Sequence, residues 1–254
     1  MNKFKEQVLK NKQKKSLFIA YWMAGFPDYE ESIKKVKLIT EYCDILEIGF
    51  PCSDPIADGS ILTNAARVAI QNGITTNKCF EVCSKVRQNK PNLPIVAIVY
   101  LNSILQYEVE NFFEKASKSG INAIIIPEIS IDNIEILKNN HKKFNIDIIL
   151  MASSNTSKER FLQICKQSTG FIYAASSPSI TGVKYEISSD TINMINNFKS
   201  YTDIPVFVGF GISSKSQIKE LEEKTTVDGI IIASKLFEFQ NNDDLKQFLD
   251  YINN

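Results

Sequence analysis

Eight short apolar runs punctuate the chain: Leu17–Ala24, Ile45–Gly49, Ile95–Tyr100, Ala123–Pro127, Ile146–Ala152, Gly170–Ala175, Pro205–Gly209 and Gly229–Ala233. Most are rich in isoleucine and valine and nearly continuous rather than alternating with polar residues. Strands covered on both faces read this way, as in a parallel sheet. Between the runs the period becomes helical. Ile33, Val36, Ile39 and Cys43 form one apolar stripe. Thr156-Ser157-Lys158-Glu159 reads as a capping box opening a helix through Phe161, Ile164 and Cys165. Ser214-Lys215-Ser216-Gln217 reads as another, ahead of Ile218 and Leu221. Cys79 and Cys83, four apart on a helix, read as small core residues.

A strand–helix unit repeated eight times with no linker predicts an α/β fold, a single-domain (β/α)8 TIM barrel over residues 1–254 with a short N-terminal helix. A doubly wound open sheet is the alternative. Its usual glycine-rich first turn is missing, since the first run ends Ala24-Gly25-Phe26-Pro27 without GxGxxG.

Composition narrows the chemistry. Lys+Arg and Asp+Glu both number 29, so the formal net charge is zero, which argues against a nucleic-acid binder. The single histidine, His141, makes a multi-histidine zinc site impossible and leaves acid–base work to carboxylates. In Asn139-Asn140-His141-Lys142-Lys143 it reads as a solvated helix-end residue. Five cysteines without a CxxC fit a reducing, cytoplasmic setting better than a disulfide framework. The lysine-rich start, Met1 to Lys15, lacks the apolar core of a secretory signal, and the apolar runs are too short to span a membrane.

Two connections are long, Phe50 to Ile61 and Ser176 to Ser189. Both follow the C-terminal ends of predicted strands, the face on which barrel enzymes carry their chemistry. Glu47 lies inside the second run and shares a face with Ile45 and Gly49 by alternation. A carboxylate there must pair, stay protonated or take a raised pKa, so it is either a structural ion pair or a proton-transfer group. Asp58 lies on the loop after the same strand, where its pKa and role would differ. Asp54 is a third candidate. For both loop acids the plain alternative is turn chemistry beside Pro55 and Gly59. Gly209-Phe210-Gly211 after the seventh run, and Ala233-Ser234 ahead of a short helix from Lys235 after the eighth, could present backbone N–H groups to a phosphate. Thr181-Gly182 could close over such a ligand.

The stretch Leu46-Glu47-Ile48-Gly49-Phe50-Pro51-Cys52-Ser53-Asp54-Pro55-Ile56-Ala57-Asp58-Gly59 strongly resembles the tryptophan synthase α subunit family, which reads LE(L/I)GxPxSDPxADG here. Support runs along the chain in Ala24-Gly25-Phe26-Pro27, Tyr100-Leu101-Asn102, the Thr181-Gly182 pair and Gly209-Phe210-Gly211-Ile212-Ser213. The resemblance implies a retro-aldol cleavage of indole-3-glycerol phosphate to indole and glyceraldehyde 3-phosphate, without metal or cofactor. It implies that Glu47 is the general acid/base and that Asp58 holds the indole N–H. Thr181 matches the loop residue that closes against Asp58. Gly182, Gly211 and Ser234, with Ala233 before it, match the phosphate arm. Tyr21, Ile98, Ile125, Tyr173 and Phe210 match the indole pocket or its neighbours. The resemblance also implies a β subunit in an α2β2 complex, with Asp54, Pro55 and Asn102 at or near the interface and pyridoxal phosphate belonging to the partner.

Departures from the family pattern stand at Ala20, Cys52, Ser60, Thr63, Glu128-Ile129-Ser130, Ser179 and Ala233, the last in place of a glycine. An alanine so close to a phosphate fits only at negative φ. Two other readings compete. An indoleglycerol-phosphate synthase would lean on a barrel lysine, and the eight runs contain none. A regulatory subunit would bind the β subunit but cleave poorly.

Overall fold

The structure is a computed structural model and describes residues 3–11, 13–176, 187–209 and 211–253. Its strands are β1 (Leu17–Met23), β2 (Ile45–Gly49), β3 (Ile95–Ile98), β4 (Ala123–Ile125), β5 (Asp147–Ser153), β6 (Ile172–Ala175), β7 (Val206–Gly209) and β8 (Gly229–Ile232). They form a closed barrel in chain order, and the pairings are parallel, for example Leu17 opposite Gly229 and Glu47 opposite Val96. The fold is the expected (β/α)8 barrel. All residues of β2, β7 and β8 are buried, which is why these runs are apolar throughout except at Glu47.

The helices are α1 (Lys3–Lys10), α2 (Tyr29–Ile39), α3 (Ser60–Gln71), α4 (Thr76–Asn89), α5 (Leu101–Gln106), α6 (Val109–Lys118), α7 (Lys138–Lys143), α8 (Lys158–Gln167), α9 (Ser189–Tyr201), α10 (Lys215–Lys224) and α11 (Asn242–Asn253). Short 3₁₀ helices span Ile131–Ile136 and Ser234–Glu238. Among the described residues no helix is long and apolar enough to cross a membrane.

Several boundaries differ from the sequence expectation. The third strand stops at Ile98, and Tyr100 caps α5 instead of ending the strand. The loop after β2 is shorter by two residues because α3 starts at Ser60. The N-cap of α8 is Ser157, which accepts a hydrogen bond from the Arg160 N–H at 3.2 Å. Thr156 is spent one step earlier, accepting from the Ser153 N–H. The second box forms at Ser214, which accepts from the Gln217 N–H, while the Gln217 side chain reaches back to the Ser213 N–H. Cys79 and Cys83 are buried, as their spacing suggested. His141 is half-buried near the end of α7, not fully solvated, and burial lowers its pKa.

The chain divides into two compact units. One comprises residues 1–20, 42–44 and 149–254. In it Phe4 of α1 is fully buried against Phe171, which in turn packs on Phe207 of β7. Two acids beside strand ends hold backbone N–H groups in this unit. Asp44 accepts from the Phe18 N–H and the Lys14 ammonium, and Asp228 from the Val206 N–H and the Lys199 ammonium.

The second unit comprises residues 21–41 and 45–148. Phe50, Phe80, Tyr107 and Phe112 form its aromatic cluster. Arg87 of α4 ties together the segments leading into β3 and β4. Its guanidinium donates to the carbonyls of Lys90, Pro91 and Gly120 and to the Asn122 side chain, at 2.6 to 3.2 Å. Gly120 has φ +83 and a side chain there would strike Arg87, so a glycine is required. Removing the guanidinium strands several partly buried acceptors. Arg87→Ala is expected to cost about 2 kcal/mol or more in denaturant unfolding. A loss under about 0.5 kcal/mol, the usual size of a plain surface change, would show the clamp to be idle.

Candidate active site

Glu47 sits at the middle of β2 with its side chain fully buried. Neither carboxyl oxygen has a hydrogen-bond partner among the described residues. Burial alone pushes its pKa up to about 8. This excludes the structural ion pair and leaves a carboxyl that keeps its proton near neutrality. Two residues further along the same face, a side chain at Gly49 would overlap the Tyr21 hydroxyl. Glycine therefore lets the Tyr21 ring cross the β2 backbone on the Glu47 side. Ile98 is half-buried at the end of β3, and Ile125 is buried at the end of β4.

Asp58 lies on the loop after β2 and is half-buried. Its pKa is raised, mainly by burial, and the neighbouring Tyr100 hydroxyl offsets part of that rise. Its backbone N–H bonds the Pro55 carbonyl at 3.0 Å, so a turn does run through Pro55. Tyr100 also accepts from the Ala57 N–H at 3.1 Å. Sequence reasoning quoted Tyr100 only as part of a motif and assigned it no role. Asp54 and Asn102 are exposed, Pro55 is half-buried, and Ile56 between the loop acids is 70% exposed.

The other unit carries the glycine-rich turns. Tyr173 of β6 is buried, and a side chain at Gly209 would overlap its hydroxyl. Gly211 has φ +76 and is exposed, a conformation suited to glycine. The buried Gln217 side chain holds this turn, donating to the Gly211 carbonyl and accepting from the Ser213 N–H. Ala233 has φ −119, so the methyl that replaces the family's glycine does not fall in the left-handed region that only glycine readily adopts. Ser234 opens the following 3₁₀ helix and is half-buried. Thr181, Gly182 and Phe210, with Ser179, lie outside the described residues.

A family model described as "Tryptophan synthase alpha chain" matches residues 7–250, nearly the whole chain. The chain belongs to the tryptophan synthase alpha chain family. Tryptophan synthase alpha chains similar to it include that of Methanocaldococcus jannaschii, 36% identical over 92% of this chain and 82% of the relative. That of Caldicellulosiruptor bescii is 36% identical over 95% and 93% of the two chains. Among solved structures, a chain from the tryptophan synthase a2b2 complex of Pyrococcus furiosus has a TM-score of 0.88 at 27% identity, covering 93% of this chain and 97% of that one. A chain from Aquifex aeolicus has a TM-score of 0.90 at 28% identity, covering 100% and 98%.

Glu47 makes a stability test possible in this tryptophan synthase alpha chain. The native state holds its proton up to about pH 8. The unfolded chain releases it near about pH 4.3. The native state therefore loses stability as pH rises through this window. Glu47→Gln cannot ionise and escapes that loss. Its Tm relative to wild type is expected to be higher at pH 8 than at pH 5 by about 2 °C or more. The same difference at both pH values would show that Glu47 does not titrate as its burial requires.

Proposed function

We propose that the chain cleaves indole-3-glycerol phosphate to indole and glyceraldehyde 3-phosphate, with Glu47 as general acid/base and Asp58 as the partner of the indole N–H. The observation that carries this is the buried, unpartnered carboxyl of Glu47, neutral up to about pH 8, on a strand whose following loop bears Asp58. Glu47 starts protonated and delivers its proton to indole C3. The Asp58 carboxylate stabilises the positive charge that develops on the ring nitrogen. Glu47, now a carboxylate, takes the proton of the glycerol hydroxyl attached to the breaking bond. The oxygen electrons form the aldehyde, the carbon–carbon bond electrons return to the ring, and Glu47 ends as it began.

Tyr21, Ile98, Ile125, Tyr173 and Phe210 are proposed to line the indole pocket. Backbone N–H groups at Gly182, Gly211, Ala233 and Ser234 are proposed to hold the phosphate, with Thr181 closing against Asp58. The negative φ of Ala233 supports this reading over that of a regulatory subunit. A β subunit is the proposed partner, docking near Asp54, Pro55 and Asn102 and receiving indole. The whole chain acts as one cytoplasmic domain in this scheme.

Indole release from indole-3-glycerol phosphate tests the proposal. Glu47→Gln and Asp58→Asn are each expected to lower kcat by about a hundredfold or more while folding normally. The wild-type rate is expected to fall as pH rises through about 8, where Glu47 loses the proton it must donate. Near-wild-type turnover by Glu47→Gln would overturn the assignment. Adding a β subunit is expected to raise the wild-type rate, and an unchanged rate would remove the partner from the scheme.

A further inference from the structure

We propose that Gln217 is a positioning residue for the substrate phosphate, its side-chain amide fixing the turn after β7 so that the Ile212 N–H is held out for the anion. The inference rests on the phosphate arm assigned to this turn above.

Gln217 is an oddity of its helix. The buried stripe of α10 consists of Gln217 and Leu221, one turn apart, so an amide stands where a core residue is expected. A buried amide is tolerated only when its polar atoms are bonded. Its orientation follows from atom types. The Ser213 N–H can only donate, so at 2.9 Å it meets Oε1. The Gly211 carbonyl can only accept, so at 3.3 Å it meets Nε2. The Ser213 and Ser214 hydroxyls also donate to Oε1, at 3.3 and 3.2 Å. In an ordinary capping box the third helical residue returns to the N–H of the cap residue. Here the cap is Ser214, and Gln217 reaches past its N–H to Ser213 and Gly211. Capping alone does not require that reach.

The reach determines where one N–H points. The Gly211–Ile212 peptide is trans, so its C=O and N–H lie in one plane and point in opposite directions. Holding the Gly211 carbonyl on Gln217 therefore turns the Ile212 N–H away from that side chain. Ile212 is buried, yet among the described residues its N–H meets no acceptor. Buried backbone N–H groups are nearly always paired, and an anion is a fitting partner for this one. Without the brace the peptide would be loose, because Gly211 is exposed, adopts φ +76 and has no side chain of its own to pack. A donor fixed before the ligand arrives binds it without the entropy cost of ordering.

The reverse reaction, which joins indole to glyceraldehyde 3-phosphate, tests the inference with the phosphate on only one substrate. Gln217→Met keeps a side chain of similar length and removes both polar atoms. It is expected to raise KM for glyceraldehyde 3-phosphate about tenfold while KM for indole and kcat stay within about twofold, the pattern of lost ground-state binding. A merely structural glutamine would lower the active fraction, and so the apparent kcat, and leave both KM values in place. Gln217→Glu separates the two parts of the amide. It keeps an oxygen for the Ser213 N–H, and glutamate serves a capping box as well as glutamine. It offers the Gly211 carbonyl no donor when ionised, so the same selective rise is expected, and it decides the matter if Gln217→Met does not fold. An unchanged KM for glyceraldehyde 3-phosphate in the folded variants, or an equal rise for both substrates, would overturn the inference. Gly211→Ala, strained at positive φ, tests the phosphate arm itself. If it leaves that KM unchanged, the turn does not hold the phosphate and the inference falls with the arm. If it raises that KM and the Gln217 variants do not, only the positioning role is lost. A wild type that cannot join the two substrates would sink the proposed function itself.

Discussion

A carboxyl group fully buried in the centre of a strand, with no hydrogen-bond partner among the described residues, is the constraint around which the second unit is built. Desolvation of an ionised carboxylate is costly enough that the group holds its proton instead, and the barrel pushes its pKa up to about 8. That outcome needs a dry, apolar strand environment. It also needs the backbone beyond Glu47 to be bare, so that Tyr21 can lie across Gly49. The same apolar packing that stabilises the barrel therefore sets the protonation state of the group proposed to move the proton.

The acids of this chain separate by their partners rather than by their type. Asp44 and Asp228 each hold a strand N–H and a lysine, which is the behaviour of structural carboxylates. Among the described residues Glu47 has no such partner, and the neighbour that favours the charge of Asp58 is a neutral hydroxyl, not a cation. Burial raises the pKa of both Glu47 and Asp58, but only Asp58 has a donor that favours its charge. Two carboxyls whose environments push them apart in this way can take the separate roles of proton carrier and fixed charge.

In the other unit the work is done by backbone shape. Gly209 gives way to the Tyr173 hydroxyl, Gly211 adopts positive φ, and Gln217 pins the turn between them and α10 from a buried position. These features add nothing to the charge count. A chain of zero net charge can for that reason still be a candidate for binding an anion through N–H groups.

Much was legible in the linear pattern. The continuous Ile/Val runs predicted strands buried on both faces, their number predicted the barrel, and the oddity of an acid at position 47 marked it at once. Boundaries were less legible where two chemistries compete locally. Ser157 took the cap assigned to Thr156, and Tyr100 left a strand to cap a helix, because hydroxyl capping and strand ending depend on the backbone path. The linear pattern by itself settled where along the chain the eight strands lie and that Glu47 is buried, since apolar runs and neighbours are properties of the linear order. Only the folded chain decided that Glu47 has no hydrogen-bond partner among the described residues while Asp44, three positions earlier, has two. It also decided that the Tyr100 hydroxyl accepts from the Ala57 N–H, 43 positions away, and that Ala233 has a negative φ. Contacts between distant segments and the sign of a backbone angle are fixed by three-dimensional packing, and nothing in local composition encodes them.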